Sequence, residues 1–195
     1  GMAVSDGAAT VVYKELGLVA QVFDESILGA MKGHLAIGHC RYSTTGSCTW
    51  ENAQPSFRTL STGGSLALGH NGNLTNTSEL KRQVDGLGLE KDAMGSTNDS
   101  DLITALIAAT AADVSVEEAA RKILPTPRGA FSPVFLDEHT LYAARDPHGL
   151  RPPAIGRLAN GRAVPPAAGA PDTRRRTTLP RARPASPRGH HAPGP

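Results

Sequence analysis

Hydrophobic and polar positions follow two spacings along about the first 160 residues. Runs of β-branched, aromatic or continuously apolar residues predict strands at 10–13, 34–41, 66–68, 130–136 and 140–144. Capping residues and apolar residues three or four apart predict helices over 24–31, 76–84, 99–107 and 115–125. Strands and helices therefore mix along the chain without an internal repeat, and the pattern predicts an α+β fold.

Each predicted helix begins at a residue whose side chain can cap it, namely Asp24, Asn76, Asp99 and Ser115. Asn76 and Ser115 are each followed three residues later by a glutamate, as in a capping box.

Two polar segments limit the predicted strands. The sequence His70-Asn71-Gly72-Asn73 predicts an interruption after 66–68, because Asn-Gly is a common turn. The polar stretch 43–56 predicts a long loop.

One predicted strand contains a proline, and the last two strands are joined by a short polar turn. Pro133 removes a backbone donor from the strand at 130–136, so we expect that strand at a sheet edge or a bulge. Asp137-Glu138-His139 separates it from the strand at 140–144, which predicts a hairpin.

Composition divides the chain at about residue 161. Residues 162–195 hold seven arginines, one aspartate and eight of the 15 prolines, so this tail carries +6 and residues 1–161 carry −4 of a total of +2. Its large apolar residues are Val164 and Leu179, too few to offset the entropy of ordering the segment. We expect a folded unit over 1–161 and a disordered tail over 162–195. The arginines also suit an acidic partner, although a solvated tail without a partner is the simpler interpretation.

Three polar clusters, at 38–46, 70–76 and 97–101, follow or precede apolar elements. The guanidinium of Arg41 suits a carboxylate or a phosphate. The Asn71 amide and the Gly72 N–H are two donors that an oxyanion hole requires. Asp99 suits a substrate ammonium. Each cluster alone also fits an ordinary surface arginine, a hairpin turn or a helix cap.

Taken in order, six stretches resemble the glutaminase domain of the amidophosphoribosyltransferase family. They are GHCRYSTTGS (38–47), ENAQP (51–55), GHNGNLTN (69–76), TNDSD (97–101), RGAFS (128–132) and RDPHGLRP (145–152). The resemblance covers about residues 1–161. It implies a four-layer αββα N-terminal-nucleophile hydrolase sandwich, incomplete here at both ends. A second possibility is another class II amidotransferase, whose oxyanion element has different surroundings.

The resemblance implies roles for six residues. Arg41 would pair with the α-carboxylate of L-glutamine, and Thr44 and Gly46 would line the same pocket. Asp99 would hold the α-ammonium. Asn71 and the N–H of Gly72 would stabilise the oxyanion formed when a thiolate attacks the side-chain amide. Cys40 and Cys48 match no nucleophile position, and we expect packing or loop roles for them.

Three departures from the family shape the expected activity. The family's nucleophile is an N-terminal cysteine, whereas this sequence starts at Gly1. The match stops near Gly161, where the tail replaces strand sequence, as a frame-shifted reading would produce. No stretch resembles a phosphoribosyltransferase domain. We therefore expect a fragment, of marginal stability and without activity of its own, from an enzyme that transfers glutamine-derived ammonia to 5-phosphoribosyl diphosphate in purine synthesis.

Cofactors and partners follow from composition and from the resemblance. We expect no metal or cofactor in this chain; the family uses Mg²⁺ in its transferase domain, and some members carry an iron–sulfur cluster, for which two cysteines are too few. The absence of a long apolar run and a 4% aromatic content argue against a membrane span and against nucleic-acid stacking. The expected ligand is L-glutamine, the expected location is cytoplasmic, and the family is homo-oligomeric. A non-catalytic glutamine-binding module is the alternative from another class.

Overall fold

The structure, a computed structural model, describes residues 1–41, 48–89 and 98–153, together with the backbone of 156–157 and 163–164. Thr44 and Gly46 lie outside the described residues, as does the predicted tail at 162–195 apart from the two backbone positions. The division of the chain at about residue 161 therefore stays a prediction.

Two antiparallel sheets carry the fold. In the first sheet β1 (Met2–Ser5) lies between β2 (Thr10–Tyr13) and β3 (Leu35–Gly38). The second sheet has the order β4 (Ser56–Thr59), β5 (Ser65–Leu74), β6 (Gly129–Leu136) and β7 (Leu141–Ala143). A short pair, β8 (Gly156–Arg157) and β9 (Ala163–Val164), is separate from both.

Five helices accompany the sheets in the described part of the chain: α1 (Val19–Val22), α2 (Glu25–Ala30), α3 (Thr77–Gly86), α4 (Asp99–Thr110) and α5 (Val116–Ile123). Asp24 caps α2 by accepting from Ile27 N–H at 2.8 Å, and Ser115 caps α5 by accepting from Glu118 N–H at 3.2 Å. These two caps confirm the sequence prediction. The α+β class is also confirmed.

The second sheet is covered on both faces, since side chains of a strand alternate between them. Leu66 and Leu68 of β5 belong to a core with Phe131 and with the apolar sides of α3, α4 and α5. Ala67 and Leu136 point the other way and pack on Ala3 and Ile37 of the first sheet. The described chain therefore stacks sheet on sheet, with three helices behind the second sheet.

Two predicted helix starts are wrong in detail. The cap of α4 is Asn98, which accepts from Asp101 N–H at 2.8 Å, and Asp99 is the first helical residue. Asn76 precedes α3 without capping it by a side-chain hydrogen bond. Its amide instead donates to Thr126 O at 3.1 Å and accepts from Arg128 N–H at 2.8 Å. Asn98 therefore leaves the Asp99 carboxylate available for other contacts.

Three strand predictions also need correction. β5 is not interrupted at His70–Asn73, because it pairs with β6 over eight consecutive residues. Pro133 lies in an interior strand rather than at an edge or bulge. The carbonyl of Pro133 faces β7 and accepts from Ala144 N–H at 3.0 Å. The nitrogen of a strand residue faces the same side as its carbonyl, so the missing N–H of Pro133 also faces β7, at the point where that strand ends. The proline is therefore tolerated. Within the predicted loop at 43–56, Trp50–Asn52 forms a 3₁₀ turn and Ser56 begins β4.

No helix in the described ranges is long and apolar enough to cross a membrane.

Candidate active site

The candidate site is the edge of β5 that β4 leaves uncovered. The pairing of β4 with β5 ends at Leu68, whereas β5 continues along β6 to Leu74. Beyond Leu68, the N–H groups of alternate residues point to the uncovered edge. His70 N–H donates to Gln54 Oε1 at 2.7 Å, and Leu74 N–H donates to Asp99 Oδ2 at 3.1 Å.

The N–H of Gly72 lies midway along this edge. It has the same direction as its neighbours at positions 70 and 74, and consecutive members of that set are roughly 7 Å apart. The residue opposite Gly72 on β6 agrees with this direction. The carbonyl of Phe131 faces away from β5 and accepts from Asp146 N–H at 2.8 Å, so it does not take up the N–H of Gly72. The Gly72 donor therefore points to the same edge as the Asp99 carboxylate.

Position 72 has no room for a side chain. A Cβ there would lie 2.7 Å from Phe131 Cα and 2.7 Å from His70 Nε2, and it would also contact Ala130 O. Two of these three atoms belong to the backbone of β6, which cannot yield without opening the ladder. A glycine is therefore required for the observed approach of the two strands.

Asp99 reaches the edge from the first turn of α4. Its neighbour Asp101 forms a buried ion pair with Arg58 of β4 at 2.8 Å, and Asn98 Nδ2 donates to Asn52 O at 3.2 Å. These contacts fix the start of α4 against β4 and the 3₁₀ turn. Burial by itself raises the pKa of Asp99. Hydrogen bonding and charge from His70, together with the Leu74 N–H, outweigh burial and hold that pKa below its ordinary value.

His70 lies at the centre of the candidate site, with its side chain 1% exposed. Its Nδ1 is 3.2 Å from Ser100 Oγ and 3.5 Å from Asp99 Oδ1. Its carbonyl accepts from His39 Nε2 at 3.1 Å, and its ring meets the Phe131 ring edge-on at 6.5 Å. With the Gln54 contact, His70 joins five of the six stretches singled out in the sequence.

The sixth stretch is attached through β6. The Asp146 carboxylate accepts from the N–H groups of His148, Leu150 and Arg151 at 3.0–3.1 Å, which folds 146–151 into a compact loop. Asp146 N–H holds this loop on Phe131 O, directly opposite Gly72. The loop therefore supports β6 behind the candidate site.

Arg41 follows the end of β3, a strand of the first sheet, and is half-buried. His39, two residues earlier, is the link to the candidate site through its bond to His70 O and its contact with Gly69. Burial lowers the pKa of His39 to about 4, and nearby positive charges, including that of Arg41, act in the same direction. At neutral pH His39 is therefore an uncharged donor beside a cationic arginine.

Asn71 lies on the face of β5 opposite to His70. The alternation that directs Ala67 to the first sheet also directs Asn71 there, on the side to which β3 and Arg41 belong. Gly72 and Asp99 meet around His70, whereas Asn71 and Arg41 lie towards the first sheet. Of the predicted residues, Asn71 and Gly72 therefore belong to this stretch of β5 and Asp99 contacts it, whereas Arg41 is linked to it through His39.

Other predicted site features are distributed as follows. Cys40 and Cys48 are exposed. Thr44 and Gly46 fall in the range 42–47, outside the described residues. The described part of the chain contains no group of three His, Cys, Asp or Glu side chains arranged to hold a metal. Two cysteines cannot supply the four thiolates of an iron–sulfur cluster, so this chain's residues do not fit that group.

Sequence reasoning assigned no role to His70, Gln54 or Ser100. The available signal was their position inside stretches that carry the resemblance. Their contacts join segments 16 and 30 residues apart, so no local pattern could reveal them.

Comparison with known proteins now defines the class. Residues 39–164 match the model of the glutamine amidotransferase domain, and the chain belongs to that family. Within the family it resembles amidophosphoribosyltransferases. It is 57% identical over 163 residues to the enzyme of Mycobacterium leprae, covering 83% of this chain and 29% of that protein. Identity to the Mycobacterium tuberculosis H37Rv enzyme is 56%, with 31% of that protein covered.

A solved structure supports the same relationship. Glutamine phosphoribosylpyrophosphate amidotransferase from Bacillus subtilis, complexed with ADP and GMP, superposes with a TM-score of 0.71 at 33% identity. The match covers 82% of this chain and 33% of that one. A second neighbour, described as the allosteric regulatory enzyme of purine biosynthesis, gives a TM-score of 0.70. The chain thus spans about a third of the length of these relatives.

Proposed function

We propose that this chain forms the glutamine pocket of an amidophosphoribosyltransferase. The observation that carries the proposal is the edge of β5, where the Gly72 N–H faces the same side as the Asp99 carboxylate. Asp99 binds the N–H of Leu74, two residues further along the strand. A donor and a carboxylate at this separation suit a free amino acid whose side chain ends in an amide.

Each group has a distinct role in the proposed pocket. Asp99 accepts from the α-ammonium, and Arg41 pairs with the α-carboxylate through a planar fork that lysine cannot reproduce. The Gly72 N–H, with the Asn71 amide, stabilises the negative charge that develops on the amide oxygen. Thr44 and Gly46 complete the pocket in this proposal.

Release of ammonia requires a nucleophile in addition to the pocket. A thiol passes its proton to a base and attacks the amide carbon as the thiolate. The oxyanion then collapses while the base returns that proton to the leaving nitrogen, so that ammonia departs and a thioester remains for water to hydrolyse. Cys40 and Cys48 are exposed, and we assign neither this role. The 195 residues alone are then expected to bind L-glutamine without hydrolysing it.

The activity of the whole parent enzyme is part of the same proposal. That enzyme would pass ammonia to 5-phosphoribosyl diphosphate, giving phosphoribosylamine, glutamate and diphosphate, with Mg²⁺ in its transferase domain. The full αββα layering, the homo-oligomer and the cytoplasmic location also belong to this proposal. The similarity to amidophosphoribosyltransferases supports it.

Calorimetric titration with L-glutamine tests the pocket. We expect saturable binding that Asp99→Asn and Arg41→Lys each weaken at least about tenfold. The first removes the charge that faces the ammonium, and the second keeps a charge but loses the bidentate fork. Matched controls are Asp85→Asn and Arg121→Lys, which alter exposed helical ion pairs and should leave the affinity unchanged. Equal effects of the site and control variants, or no binding at all, would contradict the proposal.

A further inference from the structure

We propose that His70 is a positioning residue that orients the Asp99 carboxylate towards the ammonium group of the bound amino acid. The inference rests on the proposed function, since it takes Asp99 to be the ammonium acceptor. It assigns a role to a buried imidazole that the thioester chemistry does not use.

The two oxygens of Asp99 face two different donor groups. Oδ2 accepts from Leu74 N–H at 3.1 Å, and Oδ1 lies 3.5 Å from His70 Nδ1. One donor belongs to the backbone of β5 and the other to a side chain of the same strand. Both groups that face the carboxylate therefore belong to β5, although Asp99 itself belongs to α4.

The surroundings of His70 decide where its proton lies. Nε2 has no hydrogen-bond partner among the described residues and lies against Gly72, whose Cβ would be 2.7 Å away. An unprotonated Nδ1 would direct its lone pair at the Asp99 carboxylate, which is repulsive. A proton on Nδ1 removes that repulsion and faces Ser100 Oγ and Asp99.

The ring also has little freedom to turn. The backbone on both sides of its Cα is fixed, since its N–H donates to Gln54 and its carbonyl accepts from His39. The Phe131 ring packs on its edge, and Gly72 leaves just the room that Nε2 occupies. His70 is thereby held beside both Gly72 and the Asp99 carboxylate.

Two substitutions separate the proposed role from simple packing. An asparagine can place its amide N–H near the position of Nδ1, whereas a glutamine places it near Nε2, against Gly72. We expect His70→Asn to bind L-glutamine with nearly the affinity of the unmodified chain, and His70→Gln to bind at least about tenfold more weakly. His139→Gln, at an exposed histidine, is the matched control.

The Asp99→Asn background provides the second arm of the experiment. There the difference between His70→Asn and His70→Gln should disappear, because no carboxylate remains to be oriented. A difference that persists unchanged in this background, or equal affinities of the two variants with Asp99 intact, would overturn the role.

A titration without ligand keeps this inference separable from the proposed function. The carboxyl carbon of Asp99 can be followed by NMR as the pH is varied. In His70→Gln the pKa of Asp99 should rise, because burial remains while the donor is lost; in His70→Asn it should stay low. Identical titrations in both variants would overturn the role of His70, whereas absence of glutamine binding with the expected titrations would overturn only the proposed function.

Discussion

Replacing Gly72 by alanine places a methyl group between β5 and β6. The new methyl group would lie 2.7 Å from Phe131 Cα and 2.7 Å from His70 Nε2, and it would also meet Ala130 O. Phe131 is 1% exposed, so β6 cannot move aside without disturbing the core. Overpacking of this kind lowers the free energy of unfolding by about 1–3 kcal/mol. For a chain of this length, Tm falls by about 2–4 °C for each kcal/mol.

Thermal unfolding followed by circular dichroism measures this effect. Gly29→Ala is the matched control, because Gly29 lies in α2 and a Cβ there meets no atom within 4 Å. The control should be neutral or slightly stabilising, since alanine is the better helix former. If Gly72→Ala unfolds at the same temperature as Gly29→Ala, the packing behind the Gly72 N–H is not as described, and the oxyanion role loses its support.

Two further predictions concern stability. Asp101→Asn leaves the buried Arg58 cation uncompensated and should lower the free energy of unfolding by about 3–5 kcal/mol in urea denaturation. Lys81→Met, in an exposed ion pair, should lower it by less than about 1 kcal/mol. Similar losses in the two variants would contradict the burial of the Arg58–Asp101 pair. Because the pKa of His39 is lowered to about 4, the unfolded chain binds more protons than the folded one between about pH 6.5 and 4, and stability falls as the pH drops through that window. His39→Gln, which keeps a donor for His70 O, should flatten this slope, and an unchanged slope would refute the assignment.

Local chemistry explains which elements the sequence predicted correctly. Asp24 and Ser115 cap their helices as expected because a cap depends on residues within three positions. Asp99 was predicted as a cap by the same logic, but Asn98 takes that place. Two adjacent residues with capping side chains compete for one position, and the contact of Asp99 with Leu74 decides the outcome.

Non-local pairing explains the errors in the second sheet. Asn71-Gly72 is a strong local turn signal, yet eight ladder pairs with β6 keep β5 continuous through it. Pro133 is acceptable in an interior strand because β7 ends beside it. The sequence around Pro133 cannot reveal this, since it depends on the length of β7. His70 was missed for the same reason, since its partners come from segments far away in sequence.

In the proposed pocket, a free amino acid lies along the uncovered edge of β5. A crystal structure of the chain with L-glutamine tests it most directly. We expect the α-ammonium within hydrogen-bond distance of Asp99, the α-carboxylate at Arg41 and the side-chain amide oxygen at the Gly72 N–H. Glutamine bound elsewhere, or reversed so that its amide meets Asp99, would contradict it.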